Sequence, residues 1–173
     1  LLPFSKYDEI SNPTTVKVHQ CDSLNQQVDL MLQALKGELR AYPDEGLGVL
    51  CANRTTLLAA RDLLEESDIA DNFIFHINDG DGYNSFDPEK RVFFGTINSG
   101  KGLEFRTVHI LGADSISSYS YRELCYTAVT RAKTALAVYH SANLNPLLAS
   151  ALNVVAQKKA PTPVADLFGR RKP

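Results

Sequence analysis

Short apolar segments alternate with helix-like segments along most of this chain, and this alternation restricts the fold more than any other feature of the sequence. Residues 46–51 (GLGVLC) form a continuous apolar run of the kind found in strands buried on both faces of a sheet. Runs of this kind and alternating patterns predict strands at residues 15–19, 46–51, 73–77, 92–97, 107–111 and 134–139. Strands that alternate with helices predict a three-layer α/β domain with a mainly parallel sheet.

Helices are predicted from apolar spacing and from residues that favour helix starts. Ser23 followed by Gln26 has the spacing of a capping box, Asn53 is a good N-cap, and Pro146 suits a first helical turn. The predicted helices cover residues 23–39, 53–67, 120–132 and 146–157.

Length and composition predict one globular domain, since the chain has 173 residues, of which 44% are hydrophobic and 22% charged. We place this domain at residues 14–157. The chain starts at Leu1 without methionine, so residues 1–13 are interpreted as a lead-in from an upstream domain. Residues 158–173 are rich in proline and basic residues, which predicts a flexible tail. Within the tail, residues 164–168 (VADLF) resemble peptides that dock on sliding clamps, although the usual leading glutamine is missing.

The charge and the cysteines exclude several classes of function. A formal net charge of -2 and a pI near 6.1 give no overall basic field, so any contact with nucleic acid should be local. Cys21, Cys51 and Cys125 are widely spaced among apolar neighbours, and they are predicted to be reduced core thiols. No segment has transmembrane length, so a cytoplasmic protein without membrane contact is expected.

Two motifs place polar side chains where apolar runs stop. TINSGKGLEF, residues 96–105, ends a predicted strand, and YTAVTRAK, residues 126–133, closes a predicted helix. A parallel sheet builds its ligand edge from residues in such positions. Gly95, Gly100 and Lys101 imitate a phosphate-binding P-loop, but Gly102 replaces the Ser or Thr that would reach Mg²⁺, and a strand is predicted next instead of a helix. We therefore predict that the domain lacks its own P-loop.

In this order the two motifs closely resemble motifs V and VI of superfamily 1 helicases of the UvrD/Rep type. In those proteins they belong to the second of two RecA-like domains, which share one ATP. The string SYSYRELCYTAVTRAK, residues 118–133, also resembles the helicase IV branch and its RNA-polymerase-associated relatives. The resemblance covers approximately residues 16–139 and implies a RecA-like fold.

The resemblance implies a role for several residues on the nucleotide side. Arg131 corresponds to the motif VI arginine that reaches the γ-phosphate and acts in catalysis. Glu104 would bind the ribose hydroxyl or order the site, and Gly102 would allow close backbone approach. Arg54, after the strand GVLCAN, resembles the phosphate-contacting arginine of motif IV.

On the nucleic-acid side, the resemblance implies that Thr96 and Ser99 face the backbone of the strand. Hydroxyl groups suit this task because they donate hydrogen bonds to phosphates without reading a base. Lys101 is a further candidate for a phosphate contact. Asn98 stands where related helicases commonly have histidine, and it is included as a candidate contact.

The expected function is that of the C-terminal motor domain of an ATP-dependent DNA helicase, a hydrolase that acts on DNA, as in repair. Its partners would be single-stranded DNA and an N-terminal P-loop domain of the same protein, which would hold ATP and Mg²⁺. The isolated chain is expected to be inactive and to hold no cofactor. Two alternatives stay open: a non-catalytic RecA-like module that binds a sliding clamp or a polymerase, and an ATPase that recycles RNA polymerase without unwinding.

Other constellations give no site. The histidines His19, His76, His109 and His140 have no metal-ligand spacing, and no metal site is predicted. His109 lies in an apolar strand, where a histidine with satisfied hydrogen bonds is the usual finding. Asp114 follows an apolar run as in a Walker B motif, but without a P-loop it is predicted to be a capping or turn residue.

Overall fold

The computed structural model describes residues 15–77, 87, 89–116 and 131–157, with the side chains of residues 151 and 153–157 excepted. The strands are β1 (Thr15–Gln20), β2 (Leu47–Cys51), β3 (Phe73–Phe75), β4 (Val92–Thr96), β5 (Phe105–Leu111) and β6 (Ala132–His140). The helices are α1 (Leu24–Ala41), α2 (Arg54–Leu64) and α3 (Pro146–Gln157), and short 3₁₀ turns lie at Ala70–Asn72 and Ala113–Ser115. None of these helices combines the length and the apolar character that crossing a membrane requires.

The six strands form one sheet in the order β1-β6-β5-β2-β4-β3. Every pairing between them is parallel, which confirms the predicted α/β class and mainly parallel sheet. The middle of the sheet is its most buried part, and every residue of β2 is buried. This agrees with the continuous apolar run in its sequence, because a strand covered on both faces has no polar side.

The two faces of the sheet carry separate layers. Alternate strand residues such as Val49 and Phe94 pack under α1 and α2. Their neighbours Leu50 and Phe93 pack on the other face, in a cluster that includes Leu148 of α3. The domain is therefore three layers thick, as predicted, with the sheet in the middle.

Side-chain caps fix the helix starts that the sequence predicts. At α1 the Ser23 hydroxyl accepts a hydrogen bond from the Gln26 amide at 3.4 Å, and the Gln26 side chain accepts one from the Asp22 amide at 2.6 Å. At α2 the Asn53 side chain accepts from the Thr56 amide at 2.9 Å. Both caps satisfy amide groups that have no partner inside the helix. Helix α2 ends at Leu64, three residues before its predicted end.

The start of β6 corrects one prediction. The helix predicted to run through Ala132 lies mostly outside the described residues, but Arg131 is a turn residue and β6 begins at Ala132, two residues before its predicted start. The reason is pairing with β5: the Phe105 amide donates to the Arg131 carbonyl at 3.0 Å, and Phe105 lies opposite Ala132. Bonds to a neighbouring strand thus override the local helical pattern.

Candidate functional site

The connection between β4 and β5, residues 97–104, carries most of the predicted site residues. It leaves the carboxyl end of β4 and enters the amino end of β5, so it joins opposite edges of the sheet. Strand β2 lies between β4 and β5, and the connection passes over it. Gly100 lies directly on Leu50 of β2, since a Cβ atom at this position would be 2.8 Å from Leu50 Cδ2. A glycine is therefore required by close packing, and a phosphate-binding role is not needed to explain it.

The same connection excludes a P-loop at Gly95, Gly100 and Lys101. The residues that follow Gly102 lead into strand β5 and form no helix. Without a helix N-terminus there is no row of free amides to hold phosphates. The prediction that this segment is not a P-loop is confirmed.

The hydroxyl groups of Thr96 and Ser99 form hydrogen bonds within the first turn of the connection. Thr96 Oγ1 accepts from the Ser99 amide at 3.2 Å, and Ser99 Oγ donates to the Thr96 carbonyl at 2.9 Å. The two hydroxyl oxygens are 3.1 Å apart. Because the single hydroxyl hydrogen of Ser99 goes to the Thr96 carbonyl, the Thr96 hydroxyl is the donor between the two oxygens, and both hydrogens are used within the turn.

A shallow cavity opens where three neighbouring strands end. Arg54 follows β2, His76 follows β3 and Asn98 follows β4, and all of them lie at the carboxyl edge of the sheet. The cavity has a volume of about 250 Å³ and is lined by Arg54, Leu57, His76, Ile77, Thr96, Asn98 and Ser99. The carboxyl edge is where open parallel sheets bind ligands. Three of the predicted nucleic-acid contacts, Thr96, Asn98 and Ser99, thus come together; Lys101 is exposed and does not line this cavity.

The structure adds three residues to this cavity that the sequence analysis did not select: Leu57, His76 and Ile77. A usable signal was present for the histidine. His76 directly follows the apolar strand Phe73–Phe75, just as Thr96 ends β4. Polar residues at the carboxyl ends of parallel strands are candidates for ligand contacts, so His76 could have been selected on this ground.

Arg131 lies at the opposite, amino edge. It directly precedes β6, it is half-buried, and its Nη1 atom donates to the carbonyl of Leu103 at 3.4 Å. The neighbouring Glu104 side chain is 57% exposed, and its Oε2 atom is 3.9 Å from Lys133 Nζ. Gly102 has a φ of +82° and no atom within 4 Å of the place a Cβ would take. The predicted nucleotide residues Arg131, Gly102 and Glu104 therefore lie together on a surface made by the starts of β5 and β6.

The structure groups the predicted nucleotide and nucleic-acid contacts differently from the grouping that the sequence predicts. The sequence predicts that TINSGKGLEF ends a strand and that YTAVTRAK closes a helix. Thr96 does end β4, but Glu104 and Arg131 stand where β5 and β6 begin. Arg54, predicted as a nucleotide contact, lies in the cavity at the carboxyl edge with Thr96, Asn98 and Ser99, away from Arg131. Residues 126–130 of YTAVTRAK lie outside the described residues.

Several other polar residues serve the structure of the domain. Asp114 lies in the 3₁₀ turn Ala113–Ser115, as predicted, and its side chain accepts a hydrogen bond from the Ser141 amide at 3.0 Å. His109 lies 3.0 Å from both the Tyr139 hydroxyl and Glu38 Oε2, so its ring is satisfied, as predicted. Because Glu38 can only accept, His109 Nε2 carries the hydrogen of that contact.

Burial and hydrogen bonding shift the pKa values of the interior groups. Burial alone would raise the pKa of Glu38, but hydrogen bonds from His109 and Thr107 outweigh it and the pKa is lowered. Burial, together with the charge of Glu38, raises the pKa of Tyr139, so this phenol stays protonated. Burial also raises the pKa of the Cys51 thiol to about 12, which keeps it unreactive. Cys21 and Cys51 are buried and free, as predicted, and Cys125 lies outside the described residues.

The chain is similar in sequence and in fold to known helicase domains. A family model described as the UvrD-like helicase C-terminal domain matches residues 91–139. The fold is similar to that of the C-terminal domain of a possible DNA helicase from Lactobacillus plantarum WCFS1, with a TM-score of 0.58 and 22% identity over 82% of this chain and 83% of that chain. The Pyrococcus furiosus Hef helicase domain gives a TM-score of 0.48 and 10% identity over 78% of this chain and 29% of that chain. None of the curated proteins compared with the chain matches it.

The matched residues include β4, the connection over β2, β5 and nearly all of β6. They hold Thr96, Asn98 and Ser99 at one edge of the sheet and Glu104 and Arg131 at the other. Residues 91–139 are thus similar in sequence to the UvrD-like helicase C-terminal domain, and the α/β fold with its all-parallel sheet is similar to that of the C-terminal domain of a possible DNA helicase.

Proposed function

We propose that this chain is the C-terminal motor domain of an ATP-dependent superfamily 1 DNA helicase. In this proposal a P-loop domain of the same protein holds ATP and Mg²⁺, and the amino edge of the present sheet closes on the nucleotide. The carboxyl edge contacts single-stranded DNA. The observation that carries the proposal is the position of Arg131, a half-buried residue whose guanidinium group donates from Nη1 to the Leu103 carbonyl, within the Gly102–Glu104 turn.

The chemistry expected of Arg131 follows from the charge of the reaction. ATP hydrolysis spreads negative charge over the γ-phosphoryl oxygens in the transition state, and an arginine from an adjacent domain stabilises it by a factor of roughly 10³ to 10⁵ in rate. Arg131 is anchored for this task at its backbone, through the Phe105 amide, and at its Nη1 atom, through Leu103. Glu104 beside it supplies a carboxylate that can accept from a ribose hydroxyl.

DNA contact at the carboxyl edge is supported by the donors gathered in the cavity. Arg54 is exposed in the first turn of α2, and Asn98 is exposed in the turn after β4. They supply a charged and a neutral donor, the types that bind the phosphate backbone without reading its sequence, and the Thr96 hydroxyl can add a third by exchanging its bond to Ser99 for one to a phosphate. The connection over β2 links this cavity to the amino edge through only eight residues, 97–104, so closure on ATP can be transmitted to the DNA contacts.

The test is Arg131→Ala in the protein that joins this chain to its P-loop domain. We expect kcat for ATP hydrolysis, measured with saturating single-stranded DNA, to fall several hundredfold or more, while nucleotide affinity changes little, because the arginine acts in the transition state. Arg61→Ala, which removes an arginine paired with Asp62 on the outside of α2, is the matched control and should leave kcat unchanged. An unchanged kcat for Arg131→Ala contradicts the proposal.

A further inference from the structure

The parallel pairing between β5 and β6 contains a bulge close to Arg131. Between two regular pairs of the ladder, β5 contributes one residue and β6 contributes two. The regular pairs are Phe105 with Ala132 and Thr107 with Ala135. The single residue is Arg106, and the two residues opposite it are Lys133 and Thr134. Bulges are rare in parallel pairs and are frequent beside active sites, where they change the direction of a side chain.

The hydroxyl group of Thr134 ties this bulge to β5. It donates to the Arg106 carbonyl at 2.7 Å, and Thr134 is only 8% exposed. Arg106 is itself held by further contacts, since its amide donates to the Gly46 carbonyl at 2.9 Å. Its Cζ atom lies 4.6 Å from the centre of the Tyr42 ring, and its Nη1 atom is 3.2 Å from Glu45 Oε1. Thr134 therefore fastens the additional residue of β6 to a fixed point of the sheet.

Two cationic side chains beside the bulge point to the same turn. Arg131 precedes the bulge and donates from Nη1 to the Leu103 carbonyl at 3.4 Å. Lys133 lies within it, and its Nζ atom is 3.9 Å from Glu104 Oε2. The segment that carries both cations is tied to β5 at each end, because the Arg131 carbonyl accepts from a β5 amide at 3.0 Å and Thr134 donates to a β5 carbonyl. The directions of both side chains therefore depend on these two bonds.

We propose that Thr134 is a positioning residue for ATP hydrolysis, and that its hydroxyl group, by holding the bulge, directs the Arg131 guanidinium to the γ-phosphate. The inference rests on the proposed function, and it adds a buried residue that acts through Arg131 without contacting the nucleotide. A displacement of about 1 Å in a catalytic group can cost roughly 100-fold in rate. The effect should appear in kcat, because an interaction made in the transition state does not contribute to ground-state binding.

The experiment measures kcat and KM for ATP, with saturating single-stranded DNA, in the protein that joins this chain to its P-loop domain. Thr134→Val replaces the hydroxyl by a methyl group of similar size, and Thr134→Ser keeps the hydroxyl. Thr107→Val is the matched control, because Thr107 is also buried in this strand pair but donates to Glu38 Oε2, at 2.6 Å, and not to the bulge. Urea unfolding of each variant measures its stability in parallel.

We expect Thr134→Val to lower kcat by roughly 10- to 100-fold and to leave the KM for ATP nearly unchanged. Thr134→Ser should keep most of the wild-type kcat. Thr107→Val should lose stability and retain the wild-type kcat. In an Arg131→Ala background, Thr134→Val should lower kcat no further, because the hydroxyl acts through that arginine and the two effects are not additive.

Several results would overturn the inference. If Thr134→Val lowers kcat by the same factor with and without Arg131, the hydroxyl does not act through the arginine. If Thr107→Val lowers kcat as much, the loss reflects general loosening of the sheet. If Arg131→Ala lowers kcat and a folded Thr134→Val does not, the inference fails and the proposed function stands, whereas an unchanged kcat for Arg131→Ala removes both.

A folding defect in Thr134→Val does not prevent the test. Thr134→Ala then takes its place, because it removes the hydroxyl without putting a methyl group beside the Arg106 carbonyl. If neither variant folds, the hydroxyl is required for the fold itself, and the positioning role is rejected.

Discussion

At the scale of single residues, one carboxylate fastens the end of α1 to the middle of the sheet. Glu38 lies in the last part of α1, where the helix dipole disfavours a negative charge. It is kept there by two hydrogen bonds to its Oε2 atom, from Thr107 Oγ1 at 2.6 Å and from His109 Nε2 at 3.0 Å. His109 contacts Tyr139 in turn, so one charge orders side chains on α1, β5 and β6.

The stability of the domain should therefore depend on the charge of Glu38. We expect Glu38→Gln to lower the free energy of unfolding by roughly 1–3 kcal/mol near neutral pH, the usual range for hydrogen bonds to a charged group. The pKa of Glu38 is lowered in the folded chain, so its contribution is complete above the ordinary glutamate value of 4.5 and is lost as the pH falls through the lower folded value. The difference between wild type and variant should shrink in acid.

Urea unfolding of both proteins across a series of pH values measures this difference. Asp29→Asn, on the exposed side of the same helix, removes a comparable charge without these contacts and should give a small difference at every pH. A Glu38→Gln effect that stays constant or grows on acidification would show that the carboxylate charge is not what fastens the helix.

At the scale of elements, the connection over β2 carries predicted ligand residues and is also held on the sheet by packing and hydrogen bonds. Ser99 and Thr96 close its first turn, Gly100 rests on Leu50, and Leu103 accepts a hydrogen bond from Arg131. Each contact fixes one part of the connection on a different strand or on the opposite edge. The conformation of residues 97–104 is therefore set largely by the sheet beneath it.

Gly100→Ala tests this dependence. The added Cβ would lie 2.8 Å from Leu50 Cδ2, and Leu50 is fully buried, so we expect a loss of about 1–3 kcal/mol in the free energy of unfolding from overpacking. Gly46→Ala, where a Cβ meets nothing within 4 Å, is the matched control and should cost much less. Chemical denaturation of both variants gives the comparison.

A double-mutant cycle identifies the contact itself. Leu50→Val removes the Cδ atom that the new Cβ would meet. The combined variant should therefore lose less stability than the sum of the single variants. Strict additivity would place the strain of Gly100→Ala somewhere other than Leu50.

The sequence predicted the existence of the helices and strands better than it predicted their boundaries and their relative positions. Local signals such as the Asn53 cap and the apolar run 46–51 depend on neighbours in the chain, and the structure confirms them. The start of β6 depends on Phe105, far away in the chain, so a local helical pattern misplaced it. The position of Arg54 relative to Arg131 depends on strand direction and order, and no local pattern contains either. Leu57 and Ile77 were missed because the cavity that they line is built from three separate segments of the chain.

At the scale of the whole molecule, the parallel sheet keeps the two candidate surfaces apart. All carboxyl ends lie at one edge, and the five residues of β2 span roughly 16 Å at about 3.3 Å per residue. The Arg131 surface and the His76 cavity therefore cannot contact the same small ligand. The proposed motor, with ATP at one edge and DNA at the other, requires this separation. Either ligand can then bind or dissociate without displacing the other.

Under the proposed function this separation places Arg54 with the DNA contacts, and Arg54→Ala tests that placement. In the protein that joins this chain to a P-loop domain, Arg54→Ala should weaken binding of single-stranded DNA and reduce the slope of log affinity against log salt by about 1, because one phosphate contact is lost. With saturating DNA, kcat for ATP hydrolysis should stay unchanged, since Arg54 lies in the cavity at the carboxyl edge. Arg131→Ala is its matched opposite and should alter kcat without altering the salt slope. If Arg54→Ala instead raises the KM for ATP and leaves the salt slope unchanged, Arg54 contacts the nucleotide. The carboxyl edge would then take part in ATP binding, and the two edges would not bind separate ligands.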